Sequence, residues 1–191
     1  MGGASVSRGC NCWGVDTLIE FRALERSELS RLREIDRTER IEVLYDQHGT
    51  ELLARRGEWS ASAWDADEHS VEAKVREAQR YLDDGGLAFG AFADDRMVGI
   101  GIVVPHLRPG IAQLAFLHVS APWRAAGIGA RLCEQLDQVA RSAGDSDMVV
   151  SATPSENTVR FYIGRGFAPT AEPLSELFAL EPEDVHMRKV L

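Results

Sequence analysis

The chain of 191 residues is 45% hydrophobic and 27% charged, and its formal net charge is −9. These values are typical of one globular domain, and no apolar run approaches the length of a membrane-spanning helix. The excess of 30 acidic over 21 basic residues disfavours DNA or RNA as a partner, because contact with phosphate backbones needs a positive surface. The acidity is compatible with a basic, amine-bearing ligand.

The N-terminal segment is small and Gly/Ser-rich, and it lacks the basic start and apolar core of a secretory signal. We expect residues 1–16 to be disordered and residues 17–191 to form the folded domain. Three cysteines cannot all pair within one chain, and Cys133 falls on the apolar side of a predicted helix, which favours a reducing, cytoplasmic setting. Cys10 and Cys12 supply too few ligands for a metal, so no metal site is expected.

A helix, a pair of strands and a second helix are expected at the start of the folded region. Apolar residues recur at helical spacing over residues 24–35, with Ser27 as the expected N-cap. Residues 40–56 look like two short strands joined by a turn at 47–50. The second helix is capped by Ser70 and stopped by two glycines.

Strands and helices alternate in the second half of the chain. An Asp-rich link between two apolar runs indicates a hairpin, and a break is expected at 105–110. In chain order, the expected elements are strands at 87–92, 98–104 and 111–119, a helix at 128–143, a strand at 148–152, a short helix at 158–165, a strand beginning at Phe167 and an edge strand at 185–191. This order predicts a single α/β domain with a mixed sheet.

A glycine-rich turn lies between a predicted strand and a predicted helix, and it reads APWRAAGIGARL over residues 121–132. Unpaired N–H groups at a helix start attract anions, and phosphate oxygens approach them most closely where no Cβ intervenes. Gly127 and Gly129 meet this requirement, and Arg124 adds a charged donor beside them. The pattern therefore predicts a pyrophosphate site.

Two common phosphate-binding motifs do not fit this turn. A Walker A loop ends in Gly-Lys-Ser/Thr, whereas the glycines here are followed by Ala130 and Arg131. A dinucleotide fingerprint needs a third glycine where Leu132 stands. A glycine pair alone also fits an ordinary strand-to-helix turn, so the discrimination comes from the segment that follows.

The segment SENTVRFYIGRGF, residues 155–167, lies one strand downstream of the turn. Together with RAAGIGA in the turn and LHV at the end of the preceding strand, it resembles the GNAT superfamily of acyl-CoA-dependent N-acetyltransferases. The resemblance covers residues 87–170. It implies a GNAT-like single domain, with a mixed, mostly antiparallel central sheet, flanking helices and splayed central strands.

The resemblance also implies roles for the matching residues. Backbone groups at the strand end would bind the pantetheine arm of acetyl-CoA, and the Val119 N–H would polarise the thioester carbonyl. Asn157 would reach the same arm, and Tyr162 would be the general acid that protonates the leaving thiolate. The alternative for Tyr162 is simple packing against the sheet. The implied coenzyme-binding residues are Leu117, His118, Val119, Arg124, Ala125, Ala126, Gly127, Ile128, Gly129, Ala130, Asn157 and Tyr162.

The general base stays open at this point. Family members often place a glutamate on the strand before the turn, whereas the polar residues of this strand are Gln113 and His118. His118 titrates in a useful range, but a lone histidine in an apolar strand more often packs in the core. Glu39, Glu42 and Glu156 are further candidates, each with the alternative of a solvated surface charge, and an ordered water relay is equally compatible.

The predicted strand pair at 40–56 departs from the family, which usually has two helices there, so the acceptor does not follow from the resemblance. Trp59 and Trp64 next to it either line an amine pocket or fill core, with core favoured for at least one of them. We expect acetyl transfer from acetyl-CoA directly to a primary amine, with a small molecule favoured over a protein and a homodimer possible. A non-catalytic acyl-CoA-binding module, a different acyl-CoA donor and a nucleotide-phosphate module are the alternatives.

Overall fold

The computed structural model of the protein describes residues 5–10, 16–61, 64 and 70–191. Within these ranges the backbone forms an eight-stranded sheet, a separate two-stranded sheet, four α-helices and two 3-10 helices. None of the helices described is long and apolar enough to cross a membrane.

The strands, in chain order, are β1 (Ser5–Cys10), β2 (Asp16–Ala23), β3 (Glu39–His48), β4 (Glu51–Ala61), β5 (Leu87–Ala93), β6 (Arg96–Arg108), β7 (Ile111–Val119), β8 (Asp147–Ala152), β9 (Ala168–Pro169) and β10 (Val185–Val190). The α-helices are α1 (Val71–Asp83), α2 (Ile128–Ala143), α3 (Glu156–Ile163) and α4 (Ser175–Leu180). The 3-10 helices span Arg26–Glu34 and Ala121–Trp123.

The large sheet has the order β1-β2-β5-β6-β7-β8-β10-β9, and every neighbouring pair is antiparallel except β7 and β8. That parallel pair is joined through α2, as a crossover connection requires. The mixed, mostly antiparallel sheet confirms the fold class expected from the sequence.

Helices cover both faces of the sheet. On one face, α1 and the first 3-10 helix pack on β6 through a cluster that includes Leu29, Leu32 and Ile100, all fully buried. On the other face, α2 packs on β5, β6 and β7 through Leu132 and Leu136. Because side chains alternate along a strand, neighbouring residues at the end of β7 belong to different clusters and face different helices.

The start of the chain differs from the sequence-based expectation. Ser5–Cys10 were expected to be disordered, but they form a strand that pairs antiparallel with β2, Cys10 opposite Asp16. Residues 1–4 and 11–15 of the same segment, which contain Cys12, lie outside the described residues. The start of the folded domain at residue 17 is therefore too late for this strand.

Three smaller expectations are also corrected. The first helix is 3-10 rather than α, and its N-cap is Glu25, which forms a capping box with Glu28, rather than Ser27. The chain does not break at Pro105, because β6 continues to Arg108 with irregular pairing. The last strand, β10, is not at the edge of the sheet, since the two-residue β9 pairs beyond it.

The hairpin β3–β4 matches the predicted strand pair, with its turn at Gly49-Thr50, and its strands are longer than expected. It lies against β10, α3 and the end of β8: Tyr45 donates its backbone N–H to the Pro154 carbonyl at 2.8 Å. The side chain of Gln47 fastens the hairpin to β10, because its amide oxygen accepts the His186 N–H at 2.8 Å. The hairpin therefore covers one side of the region where β7 and β8 separate.

Candidate active site

The parallel strands β7 and β8 pair over three residues only. Their register begins at Ile111 opposite Asp147 and ends at Gln113 opposite Val149. β7 continues to Val119 and β8 to Ala152, so the remaining residues of both strands diverge without pairing to each other. The result is a wedge-shaped gap in the centre of the sheet, as the family resemblance implied.

The direction of the backbone N–H groups decides what β7 offers to this gap. Ser120 donates its N–H to the Val98 carbonyl of β6 at 2.8 Å. Because successive residues of a strand point their N–H groups to opposite sides, His118 also faces β6, whereas Leu117 and Val119 face the gap. This direction does not support the predicted backbone contribution of His118 to a ligand in the gap, and those of Leu117 and Val119 stay predictions that the geometry permits.

The loop after β7 has the conformation of a helix start with unpaired amides. Gly127 is the N-cap of α2 in the left-handed region, with φ of +79°. The first helical backbone bond runs from the Arg131 N–H to the Gly127 carbonyl, so the amides of residues 127–130 precede the helical hydrogen bonds. Ala125 also has a positive φ, +63°, a conformation that costs a residue with a Cβ about 1 kcal/mol.

Close packing explains the second glycine of the loop. A Cβ on Gly129 would lie 3.1 Å from the ring of Phe161 on α3 and 3.5 Å from the Val119 side chain. The glycine therefore lets the start of α2, the end of β7 and the C-terminal half of α3 meet at one point. An added methyl group would require the Phe161 ring to shift by a few tenths of an ångström.

Arg124 does not point into the loop as predicted from the sequence. Its guanidinium donates to the carbonyls of Thr38 at 2.9 Å and of Val119 at 3.3 Å, and lies 3.5 Å from Glu39. These contacts fold the side chain back over the end of β7. In this structure Arg124 joins the segment before β3 to the sheet, and the pyrophosphate contact predicted for it is not supported.

Asn157 is also engaged within the protein. It lies exposed in the first turn of α3, where its side-chain amide donates to Glu39 at 3.1 Å. Glu39 therefore connects Arg124 and Asn157 in one row across the mouth of the gap. The N-cap of α3 is Ser155, whose hydroxyl accepts from the Thr158 N–H at 3.3 Å.

A cavity of about 690 Å³ opens from the gap between β7 and β8. Four of the predicted site residues line it: Leu117, His118, Arg124 and Tyr162. Val119, Asn157 and the loop residues Ala125–Ala130 do not, because they lie at its rim beside α2 and α3. The structure thus divides the predicted residues between a cavity and an adjoining loop.

Tyr162 has the environment that a neutral proton donor requires. It is 6% exposed, it packs edge-on between Phe161 and Phe167, and it lines the cavity. Burial raises the pKa of its phenol above the ordinary value, and the nearby Cys133 and Asp184 raise it further. Its hydroxyl has no hydrogen-bond partner among the residues that the structure describes.

His118 is a weaker candidate for the base than its ordinary pKa suggests. Its ring lies on the α1 face of the sheet, 4.6 Å from the Phe116 ring, centroid to centroid. Desolvation, together with the cations Arg37 and Lys74, lowers the pKa of His118 to about 3. A proton transfer to it from an alkyl ammonium of pKa about 10.4 would be uphill by roughly 10 kcal/mol.

The carboxylates predicted as alternative bases are occupied elsewhere. Glu39 accepts from Asn157, Glu42 lies 3.1 Å from Arg40, and Glu156 lies 3.1 Å from Arg160 on the next turn of α3. Trp64 is half-buried and its indole N–H donates to the Ile35 carbonyl at 3.0 Å, which is a core role. The side chain of Trp59 lies outside the described residues.

An acidic wall that the sequence did not reveal stands across the cavity from β7. It consists of Glu77 on α1 and of Glu181 and Asp184 in the turn before β10, and the exposed Glu183 of the same turn also lines the cavity. Desolvation and the negative charge of Glu181, opposed by Lys74, together raise the pKa of Asp184 to about 7. The only sequence signal for this wall is the acidic stretch Glu-Pro-Glu-Asp. Its position at the cavity could not be predicted, because this stretch lies far from the glycine loop in sequence.

Two further expectations concern reactive groups. Cys133 is buried on α2, and burial raises the pKa of its thiol to about 12, so it is not a thiolate nucleophile at neutral pH. No group of three or more potential metal ligands occurs within the described part of the chain.

The site can be compared with known proteins. The nourseothricin acetyltransferase structure superposes with a TM-score of 0.68 at 15% identity, covering 90% of this chain and 98% of that one. A candidate streptothricin acetyltransferase of Bacillus anthracis, in complex with acetyl coenzyme A, gives 0.66 at 16% identity, with 91% and 98% covered. The PaiA N-acetyltransferase of Thermoplasma acidophilum, in complex with coenzyme A, gives 0.60 at 21% identity, with 91% and 99% covered. No match was found among curated proteins.

At these identities the structural likeness establishes the fold alone. The family follows from the sequence: the model described as the acetyltransferase (GNAT) domain matches residues 58–190, more than two thirds of the chain. That range contains the glycine loop, the splayed strands and the acidic turn. The chain therefore belongs to the GNAT acetyltransferase family.

Proposed function

We propose that the protein transfers an acetyl group from acetyl-CoA directly to a primary amine, and that the acceptor is a small molecule rather than a protein. The observation that carries this proposal is the gap between β7 and β8, which opens into the cavity of about 690 Å³ and ends beside the amides of the α2 loop. Relatives of the same fold have acetyl-CoA or coenzyme A bound.

The residues around the gap fit a pantetheine arm and a pyrophosphate. Leu117 and Val119 direct backbone groups into the gap, where an extended amide chain could replace the missing strand. Gly127 holds the loop in a left-handed conformation, and the amides after it can donate to phosphate oxygens at a helix N-terminus. Both sets of donors are fixed by the backbone before any ligand arrives, which limits the entropy lost on binding.

The coenzyme would supply an acetyl thioester, and the chain would supply orientation and proton transfer. The Val119 N–H would donate to the thioester oxygen as negative charge develops there, in the manner of an oxyanion hole. Tyr162, held neutral by its raised pKa, would give a proton to the departing sulfur. No covalent acyl-enzyme is needed, because Cys133 is buried and protonated.

The acceptor side favours a compact cationic amine. Ile41 and Leu44 of β3 line the cavity, so the hairpin covers it on one side and leaves little room for a folded protein substrate. The wall formed by Glu77, Glu181 and Asp184 is acidic, and such a surface attracts an ammonium group.

The test is free-thiol release from acetyl-CoA with a panel of primary amines and lysine peptides, followed by mass spectrometry of the products. We expect acetylation of one or more small amines, with weaker or no acetylation of peptides. Coenzyme A binding by calorimetry without turnover on any amine would support a non-catalytic acyl-CoA-binding module instead. Faster turnover with propionyl-CoA or succinyl-CoA would reassign the donor, and absence of coenzyme binding would overturn the proposal.

A further inference from the structure

The acceptor ammonium must lose a proton before its nitrogen can attack, so the cavity should contain a base. The candidates on β7, β3 and α3 are unsuitable: His118 is too weakly basic, and the carboxylates of Glu39 and Glu156 are held by Asn157 and Arg160. Glu77 on α1 is held by Lys74 at 2.7 Å. Each of these groups is accounted for by a contact that has nothing to do with an acceptor.

Two carboxylates of the cavity, those of Glu183 and Asp184, have no such contact among the described residues, and Glu183 is exposed to solvent. Asp184 lies half-buried in the turn between α4 and β10, and its side chain accepts no hydrogen bond from any residue in the described ranges. The backbone N–H of Asp184 donates to the Glu181 carbonyl at 3.2 Å, which holds the residue in a turn beside Glu181. Burying a carboxylate without a hydrogen-bond donor costs free energy, and such a group in a cavity is a candidate functional residue.

The turn places Asp184 opposite the proton donor. Asp184 and Tyr162 line the same cavity, and the carboxylate is close enough to raise the pKa of the phenol. The Tyr162 hydroxyl also lacks a protein partner in the described ranges. Two unpartnered proton-transfer groups, one acidic and one basic, therefore face the same space at the end of the gap.

We propose that Asp184 is the general base of acetyl transfer, and that it accepts a proton from the acceptor ammonium in the cavity that it shares with Tyr162. The assignment rests on the proposed function. Glu181 acts through Asp184, because its negative charge keeps the neighbouring carboxylate basic. Asp184 is thus a catalytic residue and Glu181 a positioning residue.

Every proton and bond in the proposed reaction is accounted for. An ammonium N–H bond breaks and its proton passes to Asp184, which later releases it to water. The freed lone pair forms the N–C bond to the acetyl carbon, and the C–S bond breaks. The sulfur takes the Tyr162 proton, and the second proton lost by the nitrogen restores the phenol. The sum is acetyl-CoA plus ammonium giving the acetamide, free coenzyme A thiol and one proton.

The environment of Asp184 suits a base that works near neutral pH. Its pKa of about 7 lies roughly three units below that of an alkyl ammonium, an equilibrium ratio of about 10³ against transfer. For His118 the corresponding ratio is about 10⁷. The other ionisable groups that line this cavity are Arg37, Glu39, Lys74, Glu77, His118, Arg124, Tyr162, Glu181 and Glu183, and His186 on β10 lines the adjoining pocket that Asp184 also borders.

The experiment measures kcat/KM against pH with the best amine of the panel, for wild type, Asp184→Asn, Glu183→Gln and Glu181→Gln. We expect the wild-type rate to fall below pH 7 as Asp184 is protonated. Asp184→Asn should lower kcat/KM about 10²-fold at pH 7.5, and the deficit should shrink toward pH 10, where the amine is already neutral. Glu183→Gln is the control, because it removes one negative charge from the exposed neighbouring residue. A decrease in kcat/KM that it shares with Asp184→Asn is an effect of charge alone.

Glu181→Gln is the sharpest arm, because a merely structural role for Asp184 would not produce its result. Removing the neighbouring charge lowers the pKa of Asp184, so the acid limb should move to lower pH while turnover persists. The assignment is overturned if Asp184→Asn stays within threefold of wild type, if its deficit is the same at pH 7.5 and pH 10, or if Glu181→Gln leaves the limb in place. Coenzyme A affinity by calorimetry, unchanged in all variants, separates these outcomes from failure of the proposed function.

Discussion

The loop at Arg124–Ala130 and the turn at Glu181–Asp184 border the same cleft but offer a ligand different kinds of group. The loop presents backbone amides fixed by glycine conformations, and its one strong cation, Arg124, is turned away. The turn presents ionisable side chains whose pKa values depend on burial and on one another. In the proposed reaction, binding of the coenzyme would therefore depend on backbone geometry, whereas binding of the acceptor would depend on electrostatics.

The largest effect is expected from a substitution of Tyr162, the proposed proton donor. Tyr162→Phe should lower kcat about 10²-fold, because the leaving sulfur loses its proton donor, while coenzyme A affinity by calorimetry changes less than threefold. Tyr45→Phe removes a hydroxyl from another half-buried tyrosine, outside the cavity, and serves as the matched control. Wild-type turnover in Tyr162→Phe would return Tyr162 to a packing role.

Coenzyme binding by the loop can be tested with a substitution that adds or removes no charge. Gly127→Val forces a β-branched residue to a φ of +79° and should weaken coenzyme A binding at least tenfold, about 1.4 kcal/mol. Gly144→Val imposes comparable backbone strain, at a φ of +96°, at the other end of α2. Both should lose stability in denaturant titrations, but only the first should lose coenzyme. Equal coenzyme affinity in the two variants would contradict the loop assignment.

At the proposed acceptor end, the raised pKa of Asp184 should make the stability of the protein depend on pH. The pKa of Asp184 is about 7 when folded and near 3.9 when unfolded, so the folded state binds more protons between these values. Stability therefore falls as pH rises from about 4 to 7, and it stays reduced above pH 7.

Asp184→Asn removes this cost. At pH 8 it should stabilise the protein by about 2 kcal/mol, allowing for solvent screening, and raise Tm by roughly 5 °C. At pH 4 the gain should vanish. Thermal unfolding at both pH values is the measurement, with Glu183→Gln as control, and a gain of equal size at pH 4 and pH 8 would show that burial does not raise the pKa of Asp184.

The smallest expected effect sharpens the contrast between the two regions. Arg124→Ala removes hydrogen bonds to the segment before β3 and should cost about 1 kcal/mol of unfolding free energy. Coenzyme A affinity should change less than threefold, because the guanidinium does not face the loop. Arg141→Ala, at the exposed end of α2, is the control. A tenfold loss of affinity, steeply dependent on salt, would restore the predicted phosphate contact.

Local patterns were enough to predict most elements and the coenzyme end. Helical spacing and a serine cap determine α1, and the Asp94-Asp95 link determines the β5–β6 hairpin, whose two turn residues both have positive φ. Gly127 carries its signal in sequence because it meets a requirement of the local backbone, a positive φ at the N-cap of α2, whereas Gly129 is explained by its packing against Phe161 and Val119. The expectations that failed, such as the disorder of Ser5–Cys10, concerned segments whose structure depends on a distant strand.

By itself, the sequence determined the order of elements, the position of the glycine loop before α2 and the membership of the GNAT family. Those features arise from contacts between residues close in the chain, which periodicity and short motifs record. Only the tertiary structure decided that Arg124 turns toward Thr38 and that Asp184 lines the same cavity as Tyr162. Charge and proton affinity depend on which groups folding brings within a few ångströms and on how much water it removes, and neither is encoded in local spacing.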